Sequence, residues 1–214
     1  MPGVLRVAAL TMAVSAGGGT PVLATDAPTL TIRVIDYAVT SSGVLIEAQH
    51  HVTRVFGVAG INVAWREGDA PPPSAAAQVT VLILSDAMAA EKVAKEHIAT
   101  SVLATAAPPP VHRAWIFLDR VKEAAERQRR SAGLALGHVI AHEIAHMVAG
   151  VEHSGDGVMA SAFHLTDTLQ GFSREQGERL RTAIQLNSDA VILEARDRLR
   201  SARHLPTFSA DAQR

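Results

Sequence analysis

The chain contains no cysteine. That excludes a disulfide framework, a thiol nucleophile, an iron–sulfur cluster, a cysteine-ligated zinc and a lipid anchor on cysteine. It also lacks an excess of either charge: 20 Lys and Arg stand against 21 Asp and Glu, a net charge of -1. This balance excludes a nucleic-acid binder driven by bulk positive charge and an acidic-tail protein, and no nucleic-acid partner is expected. No internal repeat is visible. Beyond the amino terminus no stretch is long and apolar enough to read as a membrane span, so no integral membrane segment is expected after processing.

The 214 residues are 48% hydrophobic and 19% charged, which fits one domain with a substantial core. Ten histidines are the compositional anomaly, and four of them fall between positions 138 and 153.

Residues 1–24 carry one charge, Arg6, followed by an apolar run from Val7 to Ala16. That run has the length of a signal-peptide core and is too short to span a bilayer. Val22-Leu23-Ala24 resembles a small-x-small cleavage site. The expectation is a signal peptide over 1–24, a secreted or periplasmic mature chain, a single domain over 25–205 and a loose tail over 206–214.

Two proline-rich stretches, 68–73 and 106–110, read as loops. Leu30, Ile32 and Val34 alternate with polar residues, as do Ile61, Val63 and Trp65. Val79–Leu84 and Trp115–Leu118 are short continuous apolar runs, the pattern of buried strands. Leu45, Ala48, Val52 and Val55 lie on one face of a helix that Gly57 would close. The first half therefore reads strand, helix, strand, strand, a short edge element and a strand, an α/β pattern. The longest helix is predicted over 131–149, capped by Ser131, faced by Leu134, Ile140, Ile144 and Val148, and ended by Gly150. A second begins at Ser173 with Glu175 and Gln176 in its first turn, and a third spans 189–203.

The long helix contains His142-Glu143-Ile144-Ala145-His146. Residues i and i+4 share a helix face, so two imidazoles can grip one metal ion. Glu143 lies about 100° around the helix from His142 and can reach a water without competing for the metal. Zinc acidifies such a water and a neighbouring carboxylate can take its proton, the machinery of metal-assisted amide hydrolysis. A catalytic zinc needs a third protein ligand. Gly150 can turn the chain through a left-handed conformation and bring His153 back beneath the helix.

The segment Gly150-Val151-Glu152-His153-Ser154, followed by Gly157-Val158-Met159, resembles the metzincin zinc metalloproteases, and most of all their matrixin-type members. Their signature is HExxHxxGxxH with a Met-turn beneath the metal. The resemblance implies an α/β (α+β) fold in one metzincin-like domain: a small mixed twisted sheet with a backing helix, a long zinc-binding helix, a Met-turn and a C-terminal helix. It implies Zn2+ as cofactor, a peptide or protein as substrate, and Glu143 as catalytic base. It also implies an antiparallel edge strand for extended substrate, here Ser101–Thr105. Asp119-Arg120-Val121 after the last strand is similar to small exported bacterial proteins of this type.

The chain departs from the pattern in two places. Glycine follows the second histidine of the pair by four residues rather than three. Counted strictly, Glu152 takes the third-ligand position, whereas the preserved Gly–His–Ser spacing favours His153; the expected set is His142, His146 and His153, with Glu152 as the alternative. Phe163 stands where matrixin-type proteins carry tyrosine. Met159 is read as an apolar floor, Ser154 as a partner for local backbone, His138 as a structural histidine, and His50 and His51 as solvated. A monomer is expected. Two competing readings stay open: a zinc-containing binding or structural domain without activity, and a gluzincin-like peptidase with Glu175 or Glu178 as third ligand.

Overall fold

Strand β1 (Thr29–Asp36) puts Leu30, Ile32 and Val34 on one face, where all three are buried. The computed structural model describes residues 27–67, 77–107, 111–166 and 168–203, without the side chains of 191–203. The expected signal segment, the loop over 68–73, the prolines at 108–110 and the expected tail lie outside the described residues.

After β1 come α1 (Ser42–Val58), β2 (Asn62–Glu67), β3 (Ala77–Leu84), α2 (Asp86–Glu96), β4 (Ala104–Ala107) and β5 (Arg113–Phe117). Helices α3 (Leu118–Arg127), α4 (Ala132–Ala149) and α5 (Arg174–Arg203) complete the described chain. The five strands form one mixed sheet in the order β2-β1-β3-β5-β4. All neighbours are parallel except β4, which runs antiparallel to β5 at the edge. This is the mixed α/β architecture expected from the sequence, with an antiparallel edge strand and a histidine-bearing helix after the sheet.

Alternation divides the sheet between two cores. Val79, Val81 and Ile83 of β3 join Ile116 and the β1 residues in the main core, packed against α1 and α4. Leu82, Leu84 and Phe117 point the other way and pack with Ala89, Val93 and Trp115 in a smaller cluster. Helix α4 meets the length and composition of a membrane span, contrary to the sequence expectation, with mean hydropathy 1.2. Sixty-seven per cent of it is buried inside the domain, so its apolarity serves the core.

Four other sequence expectations are corrected. Helices α2 and α3 were not expected. The edge strand lies at Ala104–Ala107 rather than at Ser101–Thr105, so Ala106 and Ala107 pair with β5 instead of forming loop. The two expected C-terminal helices are one continuous helix, in which Ser188 Oγ donates to the carbonyl of Ile184 at 2.9 Å. Helix α1 runs past Gly57 to Val58.

Candidate metal centre

Helix α4 begins and ends as its sequence predicts. Ser131 Oγ accepts from Leu134 N–H at 3.0 Å, satisfying one orphan donor of the first turn. Gly150 closes the helix in the left-handed conformation, with φ 54°. The additional residue of the His146–Gly150 spacing is taken up in this closure. The helix continues to Ala149, and Val151 N–H reaches back to the carbonyl of Ala145 at 3.4 Å. The chain then doubles under the helix and brings His153 to the two helical histidines.

The three imidazoles converge through their Nε2 atoms. His142 and His146 are 3.0 Å apart, and each lies 3.2 Å from His153. The remaining nitrogens of the helical pair are committed. His142 Nδ1 donates to the carbonyl of Val158 at 2.8 Å, and His146 Nδ1 donates to that of Val151 at 2.6 Å. A carbonyl can only accept, so in both rings Nδ1 carries the proton and Nε2 presents its lone pair. Two lone pairs therefore face each other at 3.0 Å, an arrangement a shared cation relieves. Tetrahedral zinc with Zn–N bonds of about 2.0–2.1 Å sets its nitrogen ligands about 3.3–3.4 Å apart, close to the separations here. The backbone hydrogen bonds are the outer-shell supports that fix ring orientation in metal sites. The donor set fits a zinc ion.

The turn that supplies the Val158 carbonyl is held from several sides. Ser154 N–H donates to Met159 O at 2.7 Å, Ser161 N–H to Ser154 O at 3.2 Å, and Val158 N–H to Gly171 O at 3.1 Å. Ser154 Oγ donates to the Asp156 carbonyl at 2.7 Å, the local backbone role read from sequence. Met159 is fully buried in the main core. Gly157 makes the bend with φ 70°.

Burial dominates the electrostatics. Desolvation, opposed by the Val158 hydrogen bond, pushes His142 down to about 4, and it lowers His146 as well. Both rings are held neutral, the form that ligates metal. Desolvation also raises the Glu143 carboxyl to about 7. Glu143 lines the same cleft as the three histidines, about 550 Å³ in volume, whose wall includes Leu103 and Ala104 beside the sheet edge and Phe163 opposite.

The other residues singled out from sequence fall elsewhere. Glu152 is exposed and outside the three-histidine group. Glu178 is bonded to Arg174 at 3.0 Å, and neither it nor Glu175 joins the group. His51, expected to be solvated, is buried with its ring centroid 6.2 Å from that of His138. It follows Ala48 by three residues on the apolar stripe of α1, so the helical spacing already carried that signal. Sequence reasoning also missed Gln128, whose Nε2 donates to Phe163 O at 3.1 Å while its Oε1 accepts from Leu165 N–H at 2.8 Å. That side chain pins the segment carrying the cleft wall. Arg179 donates to the carbonyls of Ala149 and Gly150 at 3.3 and 3.2 Å, tying α5 to the end of the histidine helix.

No protein-family model and no curated protein matches the sequence. Among solved structures the chain is similar to archaemetzincin from Methanopyrus kandleri, with 14% identity over 76% of this chain and 98% of that one, at a TM-score of 0.42. It is also similar to TM1509 from Thermotoga maritima, with 15% identity over 86% and 99% of the two chains, at a TM-score of 0.35. Both scores are low, and the chemistry of the site rests on its own residues.

Proposed function

We propose that the chain is an exported zinc-dependent endopeptidase, with His142, His146 and His153 as metal ligands and Glu143 as general base. The observation that carries this reading is the convergence of three Nε2 atoms within 3.2 Å of one another, in a cleft that also contains a buried carboxyl group. When bound, zinc supplies Lewis acidity that polarises a carbonyl and makes water a usable nucleophile near neutral pH.

The chain's residues supply the rest. The carbonyls of Val158 and Val151 hold the two helical imidazoles in the ligating tautomer. Glu143 takes a proton from the attacking water and returns it to the leaving amine; its raised proton affinity suits a group that must do both. Strand β4 ends the sheet, and its neighbour Leu103 lines the cleft with Ala104. An extended peptide added along that edge would gain main-chain hydrogen bonds and lie across the histidine cluster. Residues 1–24 serve as the export signal in this reading, 25–205 as the peptidase domain and 206–214 as a tail.

The test is a pair of variants assayed on a broad peptide library. Glu143→Ala is expected to retain zinc and lose hydrolysis, and His146→Ala to lose both. Cleavage by Glu143→Ala at the wild-type rate would overturn the mechanism. Stoichiometric zinc in the wild type with no turnover of any peptide would favour a zinc-containing binding domain.

A further inference from the structure

His138 is a group in the cleft that the proposed hydrolysis does not use. It lies one turn before His142 on α4 and lines the same cavity. The residue is 3% exposed, and its Nδ1, sealed from solvent, has no hydrogen-bond partner among the described residues. Its Nε2 is not among the sealed atoms and makes no hydrogen bond to a described residue either, so it is the nitrogen open to the cleft. A structural histidine at such a depth is ordinarily tied to a carbonyl or a carboxylate. Here the neighbouring ring is that of His51, itself 7% exposed and with its Nε2 also buried and without a partner among the described residues. An unmade buried hydrogen bond is a standing cost to the fold that an apolar side chain would avoid.

The surroundings hold this ring firmly. A Cβ on Gly137 would sit 2.7 Å from the Ala48 carbonyl and 2.8 Å from His51 Cβ, so α1 and α4 pack closely at this level. The Phe163 ring meets His138 edge to face at 5.6 Å, and Gln128 clamps the backbone on both sides of His164. Val139, Leu103, Ala162 and Phe163 give the cleft apolar wall, and Ser101 and Ser161 also line it. Largely apolar walls with a few placed polar groups are the pattern of a selective pocket. Among the described residues no Lys or Arg lines the cleft to receive an acidic side chain, and Glu143 would repel one. A cationic side chain would meet the proposed metal ion.

We propose that His138 is a specificity residue through which the cleft selects a substrate side chain bearing an uncharged hydrogen-bonding group, above all the carboxamide of Asn or Gln; this rests on the peptidase reading of the adjacent site. A carboxamide carries both a donor and an acceptor, so it pairs with either imidazole tautomer. Replacing it with an apolar isostere leaves the imidazole unpaired inside the complex as well.

The experiment uses the full chain with Glu143→Gln, loaded with zinc, and capped hexapeptides in which Asn replaces Leu, or Gln replaces Met, one position at a time. Affinity is read by calorimetry, and the His138 ring by 15N NMR. At one position the carboxamide peptide is expected to bind at least ~10-fold more tightly than its isostere and to shift the His138 ring nitrogens. Adding His138→Leu is expected to abolish that preference with zinc stoichiometry and circular dichroism unchanged, and His138→Gln to preserve it. Equal affinities at every position, no peptide binding, or a preference that survives His138→Leu would overturn the proposal. Should His138→Leu fail to fold, the ring nitrogens decide: a shift with the carboxamide peptide and none with the isostere supports it, and the same response to both overturns it. Hydrolysis by the wild type without side-chain preference would defeat this inference and leave the peptidase standing. Selective binding without any wild-type hydrolysis would do the reverse.

Discussion

Gly150 and Gly157 both adopt left-handed backbone, with φ 54° and 70°, and they flank the segment that carries His153. Their surroundings differ in a way that separates two kinds of cost. A Cβ at Gly150 meets nothing within 4 Å, so Gly150→Ala adds only conformational strain. For a residue with a Cβ in this region that strain is about 1–2 kcal/mol. A Cβ at Gly157 lies 2.6 Å from the Gly171 carbonyl oxygen, the acceptor of the Val158 N–H. Gly157→Ala must bear the same strain and also push that carbonyl away, and overpacking of this kind adds about 1–3 kcal/mol. The expected totals are about 1–2 kcal/mol for Gly150→Ala and about 2–5 kcal/mol for Gly157→Ala. The consequence reaches the metal, because the neighbouring Val158 carbonyl orients His142. Loss of such an outer-shell support lowers metal affinity by roughly 10–100-fold, so Gly157→Ala should bind zinc more weakly than Gly150→Ala. Urea unfolding of the zinc-free variants measures the first effect, and competition with a chromophoric chelator the second. Equal losses in the two variants, or unchanged stability in both, would refute the reasoning.

Three further outcomes follow from the same geometry. His138 is held down at about 4 against an ordinary 6.5, first by burial and then by His51 and His142, so the folded state resists its protonation. The unfolded chain takes up that proton below pH 6.5, so this contribution is whole above 6.5 and is lost as pH falls to 4, a loss of about 3 kcal/mol; chelator-treated His138→Leu should show a correspondingly flatter stability profile by urea titration, and an unchanged profile would contradict it. Gln128→Ala removes both hydrogen bonds that pin Phe163 and Leu165 and should cost about 1–3 kcal/mol, with faster amide hydrogen exchange at Leu165; native-like protection there would count against the clamp. Glu143→Ala should lower turnover by roughly 10²–10⁴-fold while zinc content stays at the wild-type level, measured by peptide cleavage and elemental analysis side by side.

The sequence was most legible where a local rule acts alone. Ser131 and Gly150 bound α4 because a cap hydroxyl and a left-handed glycine need no tertiary partner. The start of α5 was equally clear, since Ser173 and Gln176 bond each other's backbone N–H groups at 3.2 and 2.9 Å. Tertiary pairing decided the rest. Ala106 and Ala107 have weak strand preference beside a proline run, and β5 alone makes them strand. The expected separate helix over 189–203 is part of α5, where Ser188 turns its hydroxyl onto the Ile184 carbonyl and the helix continues. Helix α3 left a signal in the spacing of Leu118, Val121 and Ala125, all buried, that the sequence reading did not use. Helix α2 buries no residue fully and left almost none. At the site, the His142–His146 pair was visible by periodicity. The place of His153 depended on how the chain closes α4 across one additional residue, which the His–Gly spacing alone left between His153 and Glu152.

The most direct test of the metal centre is the zinc content of the purified mature chain by elemental analysis, with His153→Ala and Glu152→Ala measured beside it. The account predicts close to one zinc per wild-type chain, the same in Glu152→Ala, and loss or marked weakening in His153→Ala. A wild type that takes up no zinc after reconstitution, or a His153→Ala variant that retains it while Glu152→Ala does not, would contradict the three-histidine site.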